Sequence, residues 1–341
     1  MITSQMPYQN HLSNSAALVT TKEAKRAGFV SAVLEKSRIA DAFITDARTL
    51  KVKAEMAKSP EELLNIIDIQ ADLLTAAGVS DKATAYLDET DRQEILQKYI
   101  ERVLKPAGTK FVEELVYRFL LTRGDTLGGK IRNLVGVWAQ RKFSEFVVSN
   151  LQLAGTDFEW FHREELKWKS PDILSDFDQI KALSWKESGY LPSRVLAYNM
   201  LVPFIKTDEE ADVGDSEATK RGKNVDICLL SCTPEEYRSK AKRPKIVRDL
   251  QQYIALGELK GGIDPSGADE HWKTASAHLS RIRRSFAGLQ SSPHLFFVGN
   301  AIESNMAGEI WSQLTSGLLA NAANLTDDRQ AVSLTTWLCN L

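Results

Sequence analysis

The sequence predicts an α/β (α+β) protein: a mixed sheet flanked by helices in the C-terminal part, with a large helical region before it. Three observations carry this expectation. Beyond about residue 220, apolar strand-like runs alternate with amphipathic stretches, the order that builds an α/β core. Before about residue 122, apolar residues recur at three- and four-residue spacing and strand signals are few. The 341 residues are 43% hydrophobic and 26% charged, ordinary for a globular chain long enough for one large domain or two smaller ones. The division expected is residues 1–122 and 123–341.

Taken in order, residues 1 to about 20 are polar and small and read as a loosely held arm. Ala24 to Leu34 has helical apolar spacing. Ser59-Pro60-Glu61-Glu62 has the form of a helix start, with Ser at the cap, Pro in the first turn and acids behind it. Leu63, Leu64, Ile66, Ile67, Leu73 and Leu74 follow at helical spacing. Asp91 to Leu104 and Phe111 to Leu120 predict two more helices. Such stripes read as packing core rather than as a cofactor site.

Gly124-Asp125-Thr126-Leu127-Gly128-Gly129-Lys130 matches most of a phosphate-binding loop. Nucleotide binding is rejected, because Ile131 stands where Ser or Thr would hold Mg²⁺ and the preceding segment is helical. The reading adopted is a glycine-rich helix start whose amides, with Lys130 and Arg132, approach a DNA phosphate. A tight turn and close packing is the plainer alternative. Ile131 to Leu151 then predicts a long amphipathic helix. Phe158, Trp160, Phe161 and Trp168, interleaved with Lys167 and Lys169, could stack single-stranded nucleic acid but read more simply as core. Leu196 to Phe204 predicts a strand, and Thr207 to Lys223 a charged loop.

The C-terminal half holds the chemistry. Asn224 to Leu230 is an apolar strand interrupted by Asp226, and an unpartnered carboxylate in such a strand is costly. Tyr253-Ile254-Ala255-Leu256 begins a second strand that Gly261-Gly262 stops. Side chains two apart on a strand share a face, so Glu258 and Lys260 project together. Helix 268–288, strand 295–299 and helix 301–322 complete the order. Pro171-Asp172 is a rival for the first acid, but it lies far upstream and reads as a helix start. Glu-x-Lys alone is weak, because most such pairs are solvated strand faces. The long run Gly261-Gly262-Ile263-Asp264-Pro265-Ser266-Gly267-Ala268-Asp269-Glu270-His271-Trp272-Lys273 is far more specific.

Asp226, Glu258 and Lys260 resemble the Asp…Glu-x-Lys arrangement of PD-(D/E)xK nucleases. Glu258 through Lys273, Lys223 to Asp226 and Gly124 to Asn133 are similar to the AvaI/BsoBI type II restriction endonucleases, over most of the chain. That resemblance implies a PD-(D/E)xK core in residues 123–341, and a DNA-embracing or dimerising helical region in residues 1–122. It implies Mg²⁺-dependent cleavage of double-stranded DNA by a homodimer at CYCGRG, leaving 5′ overhangs. Asp226 and Glu258 would hold the Mg²⁺, Lys260 would assist the chemistry, and His271 would act as general base. Lys223 and Asp264 match positions that contact bases, with Lys130 and Arg132 on the DNA backbone. A cognate methyltransferase would act beside it in the cell. His278, two helical turns beyond His271, is assigned to the surface. Two other classes fit the same residues: a repair or recombination nuclease of weak sequence preference, and a DNA-binding protein without catalysis.

The remaining features set the compartment and the charge pattern. The net charge of −2 does not advertise nucleic-acid binding, which would fall to local runs. Arg238, Lys240, Lys242, Arg243, Lys245 and Arg248 form one such run, and Arg281, Arg283 and Arg284 another. The three cysteines, Cys228, Cys232 and Cys339, fit a reducing bacterial cytoplasm and lack the neighbours of a zinc site. No membrane segment or secretory leader is expected.

Overall fold

In a computed structural model the chain is described over residues 6–174, 176–186, 193–203, 222–287 and 292–341. The side chains of Arg132, Ile173, Pro265 and Ser266 fall outside the description as well. Most of the charged loop expected over residues 207–223 lies outside the described residues. The chain divides into two compact units, residues 1–28 with 135–341, and residues 29–134.

The helices are α1 (Lys22–Ala54), α2 (Gln70–Ala76), α3 (Asp81–Thr84), α4 (Glu89–Tyr99) and α5 (Phe111–Leu153), then α6 (Pro234–Arg238), α7 (Arg243–Arg248), α8 (Pro265–Ser285), α9 (Ser304–Thr315) and α10 (Asp328–Cys339). The strands are β1 (Phe158–His162), β2 (Trp168–Lys169), β3 (Ile180–Trp185), β4 (Arg194–Val202), β5 (Lys223–Ser231), β6 (Tyr253–Lys260), β7 (His294–Gly299) and β8 (Asn321–Asn324). The unit boundaries fall inside α1 and α5, whereas the sequence reading divided the chain at 122/123.

Among the described residues the strands join in one mixed sheet of order β2-β1-β3-β4-β5-β6-β7-β8. Pairing is antiparallel from β2 through β6 and parallel from β6 to β8. One sheet face packs on α8, α9 and the N-terminal turns, through Trp272, Leu279, Ile282, Phe286 and Ile310 among others. The other face packs on the C-terminal turns of α5 and on α10, through Phe143, Val147, Leu151, Leu334 and Leu338. Both faces of the central strands are thus covered, which is why β5 and β6 read as near-continuous apolar runs. In the unit of residues 29–134, Leu50, Leu63, Leu73, Ile100, Leu115 and Phe119 form a separate helical core. There α4 starts on a reciprocal cap: the Asp91 amide donates to Asp88 at 2.9 Å and the Asp88 amide to Asp91 at 3.2 Å.

Several expectations are corrected. The N-terminal segment is no loose arm from Tyr8 onward: Tyr8, Leu12 and Leu18 are buried in the core beside α9. The glycine-rich run does not begin a helix. Gly124, Gly128 and Gly129 lie inside the continuous α5, so their amides serve its hydrogen-bond ladder and are not presented to a phosphate. Each glycine costs about 1 kcal/mol relative to alanine, but the flanking apolar residues outweigh a penalty that small. Ser59-Pro60 opens a 3-10 turn (Pro60–Asn65) that the Ser59 side chain does not cap, and the α-helix begins only at Gln70. The helix expected over 301–322 stops at Thr315, where Gly317 takes φ +72°, and Asn321–Asn324 pairs beside β7.

Candidate active site

β5 and β6 bring the three singled-out residues together. Their antiparallel register sets Ile227 opposite Gly257, so Asp226 and Glu258 flank one pair of the ladder. Alternation along β6 then aims Glu258 and Lys260 at the sheet face covered by α8. The Lys260 ammonium donates to Asp226 Oδ2 at 2.9 Å and to Glu258 Oε2 at 2.7 Å. Asp226 Oδ2 also accepts from the Leu259 amide at 2.9 Å. Two carboxylates and one ammonium thus meet at a single point, partly open on the Asp226 and Lys260 side. Asp172, the rival acid, is exposed beyond β2 at the sheet edge, with β1, β3 and β4 between it and β5.

A fourth group completes this cluster, and the sequence reading assigned it to the surface. His278 Nδ1 lies 2.7 Å from Glu258 Oε1, and the histidine side chain is only 15% exposed. A legible signal existed: His278 stands three residues after Ala275 and four before Ile282, within the apolar stripe of α8.

The end of β6 is held from three sides. Asn300 donates its amide to the Lys260 carbonyl and its side-chain nitrogen to the Gly261 carbonyl, both at 2.9 Å. Thr20 Oγ1 donates to the Asn300 carbonyl at 2.9 Å, tying in the N-terminal segment. A β-carbon on Gly261 would stand 2.6 Å from the Val135 carbonyl oxygen and 2.8 Å from the Ala139 β-carbon, so only glycine lets the strand end approach α5 this closely.

The other expected site residues are distributed around this point. His271 is exposed on the first turns of α8; a β-carbon at Gly262 would meet its ring at 3.4 Å, so the imidazole lies over the loop that follows Lys260. Asp264 is exposed just before α8, and Lys223 is exposed at the start of β5. Lys130 belongs to the unit of residues 29–134, where its ammonium stands 5.0 Å from the Phe43 ring centre. Arg132 is in the same helix, its side chain outside the described residues. In the basic runs, Arg238, Lys240, Lys242, Lys245 and Arg248 are exposed, while Arg243 stacks on Tyr237 at 4.5 Å. Arg283 is used structurally: it donates to the Leu318 carbonyl at 2.9 Å.

Burial drives the electrostatics of the cluster. Burial raises the Asp226 pKa above the usual carboxylate value, Glu258 adds repulsion, and Lys260 only partly offsets both. Burial alone would raise Glu258 too, but the His278 hydrogen bond and the Lys260 charge outweigh it and hold Glu258 low. Burial pulls Lys260 down, yet Glu258 and Asp226 keep it above the ordinary lysine value. Adjacent carboxyls pushed in opposite directions mark a site built for chemistry more often than for stability.

The Asp226 direction has a consequence for stability. A carboxyl raised in the folded state costs stability as pH climbs from its unfolded to its folded pKa, and the full cost remains above that. Asp226→Asn removes the cost while retaining an acceptor for Leu259 and Lys260. The expected result is a melting temperature equal to or above the parent's near neutral pH, with the gain vanishing in acid. Thermal melts between about pH 3 and 8 check this. A lower melting temperature for the variant at neutral pH would mean that the Lys260 attraction exceeds the burial cost.

The family model described as restriction endonuclease BsobI matches residues 8–341. The type II restriction enzyme AvaI of Nostoc sp. is 45% identical over 338 residues, covering 98% of this chain and 100% of that protein. AvaI of Anabaena variabilis matches equally. The type II restriction enzyme BsoBI of Geobacillus stearothermophilus is 43% identical over 342 residues, covering 99% of each chain.

Proposed function

The chain belongs to the restriction endonuclease BsobI family, and from that premise we propose that it cuts double-stranded DNA with Mg²⁺ at the degenerate palindrome CYCGRG, leaving 5′ overhangs. That it is a type II site-specific deoxyribonuclease follows from the family; the metal, the site and the overhang are our reading. The observation that supports it is the convergence of Asp226 and Glu258 on the Lys260 ammonium, within 2.9 Å.

The donor set fits Mg²⁺. That ion takes hard oxygen ligands, often one or two carboxylates with waters and substrate phosphate completing the shell. Asp226 and Glu258 supply two carboxylates; among the described residues no group of three or more His, Cys, Asp or Glu is placed to hold a metal ion, so waters and substrate phosphate would have to complete the shell. Bound there, Mg²⁺ would supply charge stabilisation at the scissile phosphate and activate a water.

The chain's own residues do the rest. Lys260 holds a positive charge between the two acids, where it can stabilise negative charge developing on the phosphate. His271, exposed over the loop after Lys260, is assigned as the general base that takes a proton from the attacking water. Lys223 and Asp264, exposed at the ends of elements that carry the cluster, are assigned to base contacts: lysine to guanine O6 or N7, carboxylate to cytosine N4. Reading Y·R through purine N7 would accept either purine. Lys130 and Arg132, both within α5 rather than at a helix start, are retained as backbone contacts. A palindromic site calls for a two-fold homodimer with one active site per strand. Among the described residues no helix is long and apolar enough to cross a membrane.

The test is digestion of plasmid DNA with Mg²⁺ or with EDTA, followed by sequencing of the ends. Mg²⁺-dependent cuts confined to CYCGRG are expected. Cuts at many unrelated sites would favour the repair-nuclease reading, and binding without cleavage a non-catalytic one.

A further inference from the structure

We infer that His278 is a positioning residue of the cleavage reaction: it fixes the orientation of the Glu258 carboxylate and thereby its competence to hold Mg²⁺. The inference rests on the nuclease reading above.

Glu258 is 2% exposed, and its two oxygens face different partners. Oε2 accepts from Lys260 at 2.7 Å and points toward Asp226, while Oε1 meets His278 Nδ1 at 2.7 Å. An ionised carboxylate only accepts, so Nδ1 carries the hydrogen and donates. The terminal torsion of glutamate is soft, and without a second anchor the carboxylate plane can rotate. His278 supplies that anchor from a rigid element. Around it on α8, Trp272, Ala275, Leu279 and Ile282 are fully buried against the sheet. The imidazole is thus held by packing, and it holds the acid. With Nδ1 spent on Glu258, His278 acts through the carboxylate and does not offer that atom to the metal.

Groups that orient a metal-holding side chain typically change metal affinity or activity by 10–100-fold when removed. The test uses the full-length protein with two near-isosteric substitutions. His278→Leu removes the donor and keeps volume; His278→Asn places an amide donor close to the Nδ1 position. His278→Ala is read in parallel, to cover a Leu variant that does not fold. Two readouts are taken across a Mg²⁺ series: the Mg²⁺-induced rise in melting temperature without DNA, and single-turnover cleavage of a CYCGRG duplex. The Leu and Ala variants are expected to need roughly 10–100-fold more Mg²⁺ in both, with Asn restored to within about threefold of the parent. A cleaving parent whose Leu or Ala variant titrates unchanged, or whose Asn variant falls as far as the others, overturns this inference alone. A parent that neither cleaves nor responds to Mg²⁺ overturns the nuclease reading and this inference with it.

Discussion

Glu258→Ala is expected to lower single-turnover cleavage by at least about 10³-fold at saturating Mg²⁺, while specific DNA binding in EDTA stays within a few fold. Metal-assisted charge stabilisation is worth several kcal/mol, and each 1.4 kcal/mol is about tenfold in rate. Glu258 is one of two carboxylates at the point where Lys260 is held, so its loss halves the oxygen set available to the ion. It also leaves His278 and Lys260 each short of a partner. Binding should survive, because affinity for DNA comes mainly from phosphate and base contacts made elsewhere. Glu258→Gln is the companion: it keeps the volume in a site that is 2% exposed and removes the charge, separating chemistry from packing. Gel-shift binding and quenched-flow cleavage on the same duplex decide the matter. If both variants cleave within tenfold of the parent, the metal is held elsewhere and the assignment fails.

Gly257→Ala carries the largest expected stability effect. Gly257 lies in the middle of β6, paired with Ile227 on one side and Phe296 on the other. A β-carbon there would overlap the Phe296 ring, which is fully buried and sits 5.9 Å from Trp337 in an edge-on contact. The Phe296 ring has little room to withdraw, since it is fully buried on the face covered by α5 and α10. Overpacking of this kind costs on the order of 3 kcal/mol, a large part of the stability of a typical domain. Urea denaturation measures it. Phe296→Leu in the same chain should recover part of the loss, so that the two substitutions are less than additive. Additive losses would show that the glycine is required by the strand backbone and not by the ring.

Much of the site was legible because it depends on local periodicity. Glu258 and Lys260 share a face of β6 by strand alternation alone, and an acid inside an apolar strand marked Asp226. The preference for Asp226 over Asp172 rested on sequence distance and on the helix-start form around Asp172; in the sheet, three strands stand between the two acids. His278 was misassigned because its partner is 20 residues away on another element, and helix spacing cannot say which neighbour a polar residue at the edge of an apolar stripe will meet. The glycine-rich run misled for the opposite reason. Glycine is a local preference worth about 1 kcal/mol per residue, and cumulative helix packing overrides it.

By itself, then, the sequence determined the α/β class, the helical character of the early region and the strands β5, β6 and β7, all of which follow from the two- and 3.6-residue repeats of hydrophobic side chains; it also singled out Asp226, Glu258 and Lys260, through strand alternation together with the resemblance of the run after Glu258. Only the tertiary structure decided the rest. β8, Asn-Ala-Ala-Asn, has little intrinsic preference for a strand and is one because β7 offers a parallel edge to pair with. The N-terminal turns are ordered because Tyr8, Leu12 and Leu18 find an apolar surface made by residues some 300 positions later. His278 is joined to Glu258 because α8 folds back across the sheet. Each is a contact between distant segments, and burial, which no local pattern encodes, selects it.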